Sequence, residues 1–354
     1  MKQDISINKT DIQNLPLVSV ILVNWNGKED TIECLNSLTG SDYPYFEVIV
    51  VDNGSNDNSP QIIKENFPKV ILLAQKNNVG FAEGNNIGMR AASGQYFFLL
   101  NSDTVVEKTT ISELVKVMVN DGTVGSCAPK VLFYHRHDII ECAGGCVDNV
   151  GFCYARPMAP QIDRGQFSKQ EEVFMASAGF MLLNRTVVDK EGFFDSSLFF
   201  GYEELEMAFK VRESGYKAMF VPTSRLFHKR HRSYSSDFTV QPTPFKMYRN
   251  TRNRIKLVVK YFPFSMLVKN SPLILLSIIY WNIWLLRKGG VNLFAKASFN
   301  QFWFSIKGLQ ERLKRKGNPE YWRIFVENHG LKDYYSFYKN GKAFFDGDLF
   351  QNKE

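Results

Sequence analysis

Apolar and polar positions fall into alternating blocks over the first hundred residues. LVSVILVNWNG, residues 17–27, has Ser19 as its only polar residue before Asn24, which predicts a short buried strand running into a turn. EDTIECLNSL (29–38) has helical spacing, and YFEVIVVDNGSNDNS (45–59) reads as a second buried strand with a turn-rich end. PQIIKENF fits a helix with Pro in its first turn. KVILLAQ is a third strand, GFAEGNNIGMRAAS a helix despite its glycines, and GQYFFLLNSD a fourth strand. Strands alternating with helices at this spacing predict an α/β fold with a mostly parallel central sheet and crossover helices, a Rossmann-like half.

The period loosens between 124 and 185, where irregular strands and loops end in the apolar run VFMASAGFMLLN. EELEMAFKVRESGY is a clear helix that Gly215 closes at C′. From about 245 the chain is basic, aromatic and helical. The expected organisation is a loose tail over 1–15, a catalytic domain over 16–244 and a helical region over 245–354.

Charge sharpens that boundary. Residues 1–244 carry 23 Lys+Arg against 29 Asp+Glu, and residues 245–354 carry 20 against 7, a net +13. A basic end of this kind suits an anionic partner, a nucleic acid or a membrane surface. No nucleic-acid module is visible in it, so the membrane is the expected partner. Asn270–Leu286 is free of charge for 17 residues, carries Tyr280, Trp281 and Trp284, and is followed by Arg287 and Lys288. That is short of the roughly 20 residues of a spanning helix and suits an interfacial segment. A core helix or a homodimer helix is the alternative. Five cysteines form no secreted-type framework. Cys142, Cys146 and Cys153 near His135 and His137 match no zinc spacing, and separate thiols are expected. The N-terminus has no apolar signal region, which places the expected enzyme in the cytoplasm, peripheral to the membrane.

In a parallel sheet, Asn24–Gly27, Asp52–Ser55 and Asn101–Asp103 all emerge at one edge, where open α/β sheets bind ligands. Asp52 is suited to accept the imide N–H of uracil or thymine, a donor that cytosine lacks. Trp25 offers a flat face for a base or, equally, a core side chain. Asp103 suits a hard divalent cation that takes its other ligands from phosphate. No G-x-G-x-x-G follows the first strand and no G-x-x-x-x-G-K-[ST] occurs, so dinucleotide and P-loop readings are weak.

VSVILVNWNG, VIVVDNGSNDNS, NNVGFAEGNNIG, YFFLLNSD and FFGYEELEMAFKVRESGYKAMFVP follow one another as in family 2 glycosyltransferases. Over roughly residues 17–260 the chain resembles that family, most of all its rhamnosyltransferase-type members. The resemblance implies a GT-A fold, a nucleotide-sugar donor, Mg²⁺ or Mn²⁺, and inversion at the anomeric carbon. It maps base contacts to Val23, Trp25 and Asp52, and the loop that closes on the nucleotide to Gly80 and Asn85. Its D-x-D-like motif is Asn101-Ser102-Asp103, with Asp103 holding the metal and Asn101 near ribose and phosphate. Its Glu-Asp catalytic pair reads Glu203-Glu204 here, with Glu204 the general base. Ala178-Gly179 reverses its usual Gly-Ala, and His228 matches a histidine that completes the metal site. The expected reaction moves a sugar, plausibly L-rhamnose from dTDP-L-rhamnose, onto a glycan or lipid-linked glycan. A UDP-hexose or UDP-N-acetylhexosamine donor is the alternative. A sugar nucleotidyltransferase lacks its G-G-x-G-T-R loop here, and a non-catalytic glycan binder would not need all three acids.

Overall fold

The structure, a computed structural model, describes residues 15–157, 160–230, 243–315 and 326–327. Apart from Leu15, the segment expected to be a loose tail lies outside the described residues, as does most of the chain beyond 315. Strands β1 (Val18–Asn24), β2 (Phe46–Asp52), β3 (Ile71–Ala74) and β4 (Tyr96–Asn101) form the predicted parallel core in the order β3-β2-β1-β4. Helices α1 (Lys28–Thr39), α2 (Ser59–Asn66) and α3 (Phe81–Ala91) supply the crossovers. Pro60 sits in the first turn of α2, where its missing N–H costs nothing.

After β4 the sheet changes direction. The remaining elements are β5 (Thr104–Val106), α4 (Thr110–Asn120), β6 (Val124–Phe133), β7 (Arg136–Cys142), β8 (Gly145–Asp148), β9 (Cys153–Ala155), β10 (Gln161–Ile162), β11 (Glu171–Val173), β12 (Phe180–Asn184), α5 (Arg185–Glu191), α6 (Glu203–Glu213) and β13 (Lys217–His228). β12 runs antiparallel beside β4, pairing Phe180 with Leu100 and Asn184 with Tyr96. β13 runs parallel to β6 and antiparallel to β5, which brings His228 opposite Thr104. The result is an 11-stranded mixed sheet, parallel where the sequence alternates strand and helix and mixed where that period is lost.

Two helices follow, α7 (Pro244–Tyr261) and α8 (Phe264–Lys314), and a two-residue strand, Val326–Glu327, pairs beside β8. Thr243 caps α7 by accepting from the Lys246 N–H, and Pro244 occupies its first turn. α8 breaks at Gly290, whose φ of 79° lies in the region that favours glycine. The Asn282 and Gln301 amides bond each other reciprocally at 3.1 Å. Nineteen residues of continuous helix would hold them about 28 Å apart, so the two arms (264–289 and 291–314) must fold back as a hairpin.

Both arms pack on α7, with Gly308 lying against the Lys256 backbone and the Arg254 guanidinium donating to Ser277 Oγ at 2.8 Å. Part of the region's positive charge therefore points inward. Arg252, Arg254 and Lys256 are buried, and Arg252 and Lys256 hold the segment 195–198 through its carbonyls and Asp195.

One backbone contact fixes the loop before α3. Gly80 has φ +90°, and a Cβ there would lie 2.5 Å from the Phe199 carbonyl oxygen. Gly80→Ala is expected to cost about 1–3 kcal/mol of folding stability, read as a lowered denaturant midpoint at unchanged slope.

Candidate active site

The three predicted strand ends do meet at one edge of the sheet, tied together by Asn24. Its side-chain oxygen accepts from the Gly27 N–H (3.1 Å) and the Thr31 hydroxyl (2.9 Å), and its amide donates to Asp52 at 2.8 Å. The second Asp52 oxygen accepts from the Ser55 N–H at 2.9 Å. Asp52 is 1% exposed, and both of its oxygens already accept one bond from the protein. Trp25 stands 50% exposed on the turn, outside the core, as a platform. Val23 packs on Gly84 of α3.

Gly80 and Asn85 work inside the fold. Gly80 offers its carbonyl to Asn53, and the buried Asn85 amide donates to the Phe81 carbonyl. Asn53, which sequence reasoning passed over, clasps this loop by also accepting from the Val79 N–H at 3.0 Å. Asn101 lies against Gly179, where a Cβ would meet its amide at 2.6 Å, so the small residue at 179 has a steric cause. Ser102 is half-buried in the turn between β4 and β5.

Asp103 and His228 come together although 125 residues separate them, with His228 Nε2 3.2 Å from Asp103 Oδ1. On the other side of the ring, Nδ1 lies 2.9 Å from both oxygens of the buried Glu141. Burial lowers the His228 pKa, but Glu141 and then Asp103 outweigh it and raise the imidazole to about 9. Burial alone would raise both carboxyls, and their cationic neighbours hold each below its ordinary value. These are Arg230 and His228 for Glu141, and His228 with Arg230 for Asp103.

This donor set fits a divalent cation. A carboxylate that accepts a hydrogen bond from Nδ1–H fixes the neutral tautomer in which Nε2 carries the lone pair, the usual outer-shell arrangement for a metal-bound histidine. Among the described residues no group of three His, Cys, Asp or Glu is arranged to hold a metal ion by itself, so a cation at Asp103 and His228 would need oxygens from a ligand. Glu141 was missed by sequence reasoning. Its only signal is a carboxylate inside the apolar stretch DIIEC.

The catalytic-pair candidates head α6. Gly201 and Tyr202 both have positive φ (88° and 78°), an unusual conformation for Tyr that turns the chain sharply into the helix. A Cβ on Gly201 would lie 2.3 Å from Asn250 Oδ1 on α7. Glu203 is 2% exposed, and its Oε1 has no hydrogen-bond partner. Burial, and then the charge of Glu204, push its carboxyl up to about 8. Glu204 is also raised, again by burial, while the Cys153 thiol and Lys246 pull it back. The Cys153 Sγ lies 3.7 Å from Glu204 Oε1.

Two cavities share Glu204. One, of about 500 Å³, runs past Glu203 and is walled by Phe152, Tyr154, Phe200 and Trp281. The other, of about 270 Å³, reaches Glu141, His228 and Arg230. Asn101 and Lys246 line both. Glu204 thus stands between a compartment lined by Glu141, His228 and Arg230 and an aromatic one suited to stacking on a ring.

Residues 19–192 match the family described as Glycosyl transferase family 2. Glycosyltransferase GlyG of Streptococcus pneumoniae serotype 4 is 33% identical over 103 residues, 28% of this chain and 34% of that protein. The poly-beta-1,6-N-acetyl-D-glucosamine synthase of Staphylococcus aureus (strain COL) is 23% identical over 223 residues, 61% of this chain and 52% of that one. This chain thus spans about a third to a half of those relatives. Among solved structures, GalNAc-T7 with UDP, GalNAc and Mn²⁺ superposes with a TM-score of 0.56 at 20% identity, over 71% of this chain and 49% of that one. The strand-end edge and β12 lie within the matched segment, so residues 19–192 are similar to glycosyl transferase family 2 and the chain has a GT-A-like fold.

Proposed function

We propose that this chain is an inverting glycosyltransferase that moves a sugar from a nucleoside diphosphate donor to a hydroxyl of a glycan or lipid-linked glycan. The observation that carries the reading is the position of Glu204 in the wall common to two cavities, one ending at His228 beside Asp103 and the other lined by aromatic rings.

The donor diphosphate belongs on the Asp103 side, with the sugar reaching toward Glu204 and the acceptor entering past Trp281. Glu204 accepts the proton of the acceptor hydroxyl as that oxygen bonds to the anomeric carbon and the carbon–oxygen bond to the diphosphate breaks. Attack from the face opposite the leaving group inverts the centre. Mg²⁺ or Mn²⁺ held by Asp103 and His228 would neutralise charge on the departing diphosphate. Glu203, protonated at neutral pH by its burial, keeps a second negative charge away from the base. Asn101 and Lys246 line both compartments and are placed to hold polar groups of the sugar or phosphate.

The donor is a uridine or thymidine diphosphate sugar: dTDP-L-rhamnose, a UDP-hexose or a UDP-N-acetylhexosamine. The name of the Staphylococcus aureus relative favours the last. Incubation with Mn²⁺ and a panel of sugar nucleotides should release nucleoside diphosphate from one of them. Release from none, with acceptor glycans present, overturns the reading.

Base choice rests on Asp52, whose two oxygens each keep a lone pair after bonding Asn24 and Ser55. UDP or dTDP is expected to bind at least about tenfold tighter than CDP, since one hydrogen bond to a charged group is worth about 1.5–3 kcal/mol. Equal affinities by calorimetry would reduce Asp52 to a loop anchor.

A further inference from the structure

The hairpin of α8 leaves an apolar surface that nothing in the described chain covers. On the first arm Val268, Leu275, Ile279, Ile283 and Leu286 are exposed, and at 100° per residue they form one stripe. Met266, Asn270, Ser277 and Leu285 are buried on the opposite side. The second arm repeats the arrangement, with Ala297, Gln301, Phe304 and Gly308 inward and Phe299, Phe302, Trp303, Leu309 and Leu313 outward. Because both inner faces sit on α7, both outer faces point away from it.

We propose that these paired outer faces are an in-plane docking platform for an anionic membrane leaflet. Charge is the argument for this occupant. α8 carries seven Lys or Arg and one acid, Glu311, which is already paired with Lys256 and Lys260. At 100° per residue Lys269 and Arg287 share one angular position on the first arm, and Lys296, Lys307 and Lys314 share one on the second, each at the edge of its arm's apolar stripe. Basic residues beside a broad apolar face are what a helix lying at the headgroup boundary of an anionic bilayer needs.

By length and composition α8 could cross a membrane, and one observation argues for lying in the plane instead. The inner faces of both arms are committed to α7, which leaves only their outer faces for lipid. Phe245 at the start of α7 and Phe264 at the start of α8 are also exposed. The platform goes beyond the transferase reading and stands or falls independently of it, because its readout is binding and needs no turnover.

The test is co-sedimentation of the full chain with phosphatidylcholine vesicles carrying increasing phosphatidylglycerol, at low and high salt, beside the variant Ile279→Asp/Phe302→Asp. These two side chains are 54% and 65% exposed, so the variant should keep its thermal midpoint. Binding is expected to rise with anionic lipid, fall with salt, and drop by roughly tenfold or more in the variant. A chain that stays in the supernatant at every composition overturns the platform, as does a variant that pellets like the parent. A vesicle-free dimer that the same substitutions dissociate assigns the face to a second copy instead, and also overturns it.

Discussion

Glu204→Gln is expected to lower transfer by roughly 10²–10⁴ while donor affinity stays at its parent value, the range that follows loss of a general base. The amide keeps the shape and the start of α6, and it leaves Asp103 and His228 untouched. Glu204→Asp should retain appreciable activity if the cavity tolerates the shorter reach. The pH profile carries a second signature. Burial raises the Glu204 carboxyl, so the base is lost by protonation as pH falls through a value above the ordinary glutamate range. The acid limb of the rate should therefore lie above that range and vanish in the Gln variant. Donor binding that collapses together with turnover would instead make Glu204 a donor ligand.

Asp103→Asn should fail in the opposite way. It keeps turn propensity and size but removes the charge beside His228 Nε2, so metal-dependent affinity for UDP or dTDP should fall sharply. Glu141→Gln acts one step back, on the orientation and basicity of the ring, and is expected to weaken Mn²⁺ binding about 10–100-fold. Titrating Mn²⁺ with nucleotide present, by calorimetry, reads both variants without turnover. Unchanged metal dependence in Asp103→Asn would leave the end of β4 as a turn and nothing more.

The parallel half of the fold was legible because each of its strands is an apolar run that stops on turn residues. Asn24, Asp52 and Asn101 could therefore be placed on one edge before any coordinates. The same logic found α6, whose acids and closing Gly215 bracket it. The pairing of Asp103 with His228 came from the resemblance; spacing carries no trace of a contact made when β13 returns beside β5. Glu141 was invisible for the same reason, since what singles it out is the His228 ring it faces.

The hairpin was half legible. The uncharged run and its flanking aromatics were plain, but treating Asn270–Leu286 as one segment hid the second arm. Gly289-Gly290 was the available stop signal. The expectation of core packing holds for one face of each arm, and the other face is exposed. Asp52 reads differently in three dimensions: its carboxylate first organises the turns around it, and only its remaining lone pairs are open to a base.

Trp281 belongs to two structures at once, lying on the first arm of the hairpin and in the wall of the cavity that holds Glu203. Its ring packs edge-on against Tyr280 and Trp284, at centroid distances of 5.2 Å and 5.9 Å, so it moves with the arm. Anything that binds the outer side of that arm and shifts it must therefore change the energy of filling the cavity. Thermodynamic reciprocity then requires that filling the cavity change, by the same factor, the affinity of the outer side for what it binds. Occupancy of the aromatic compartment and attachment of the hairpin are thus two readouts of one coupling free energy, and each can be measured through the other.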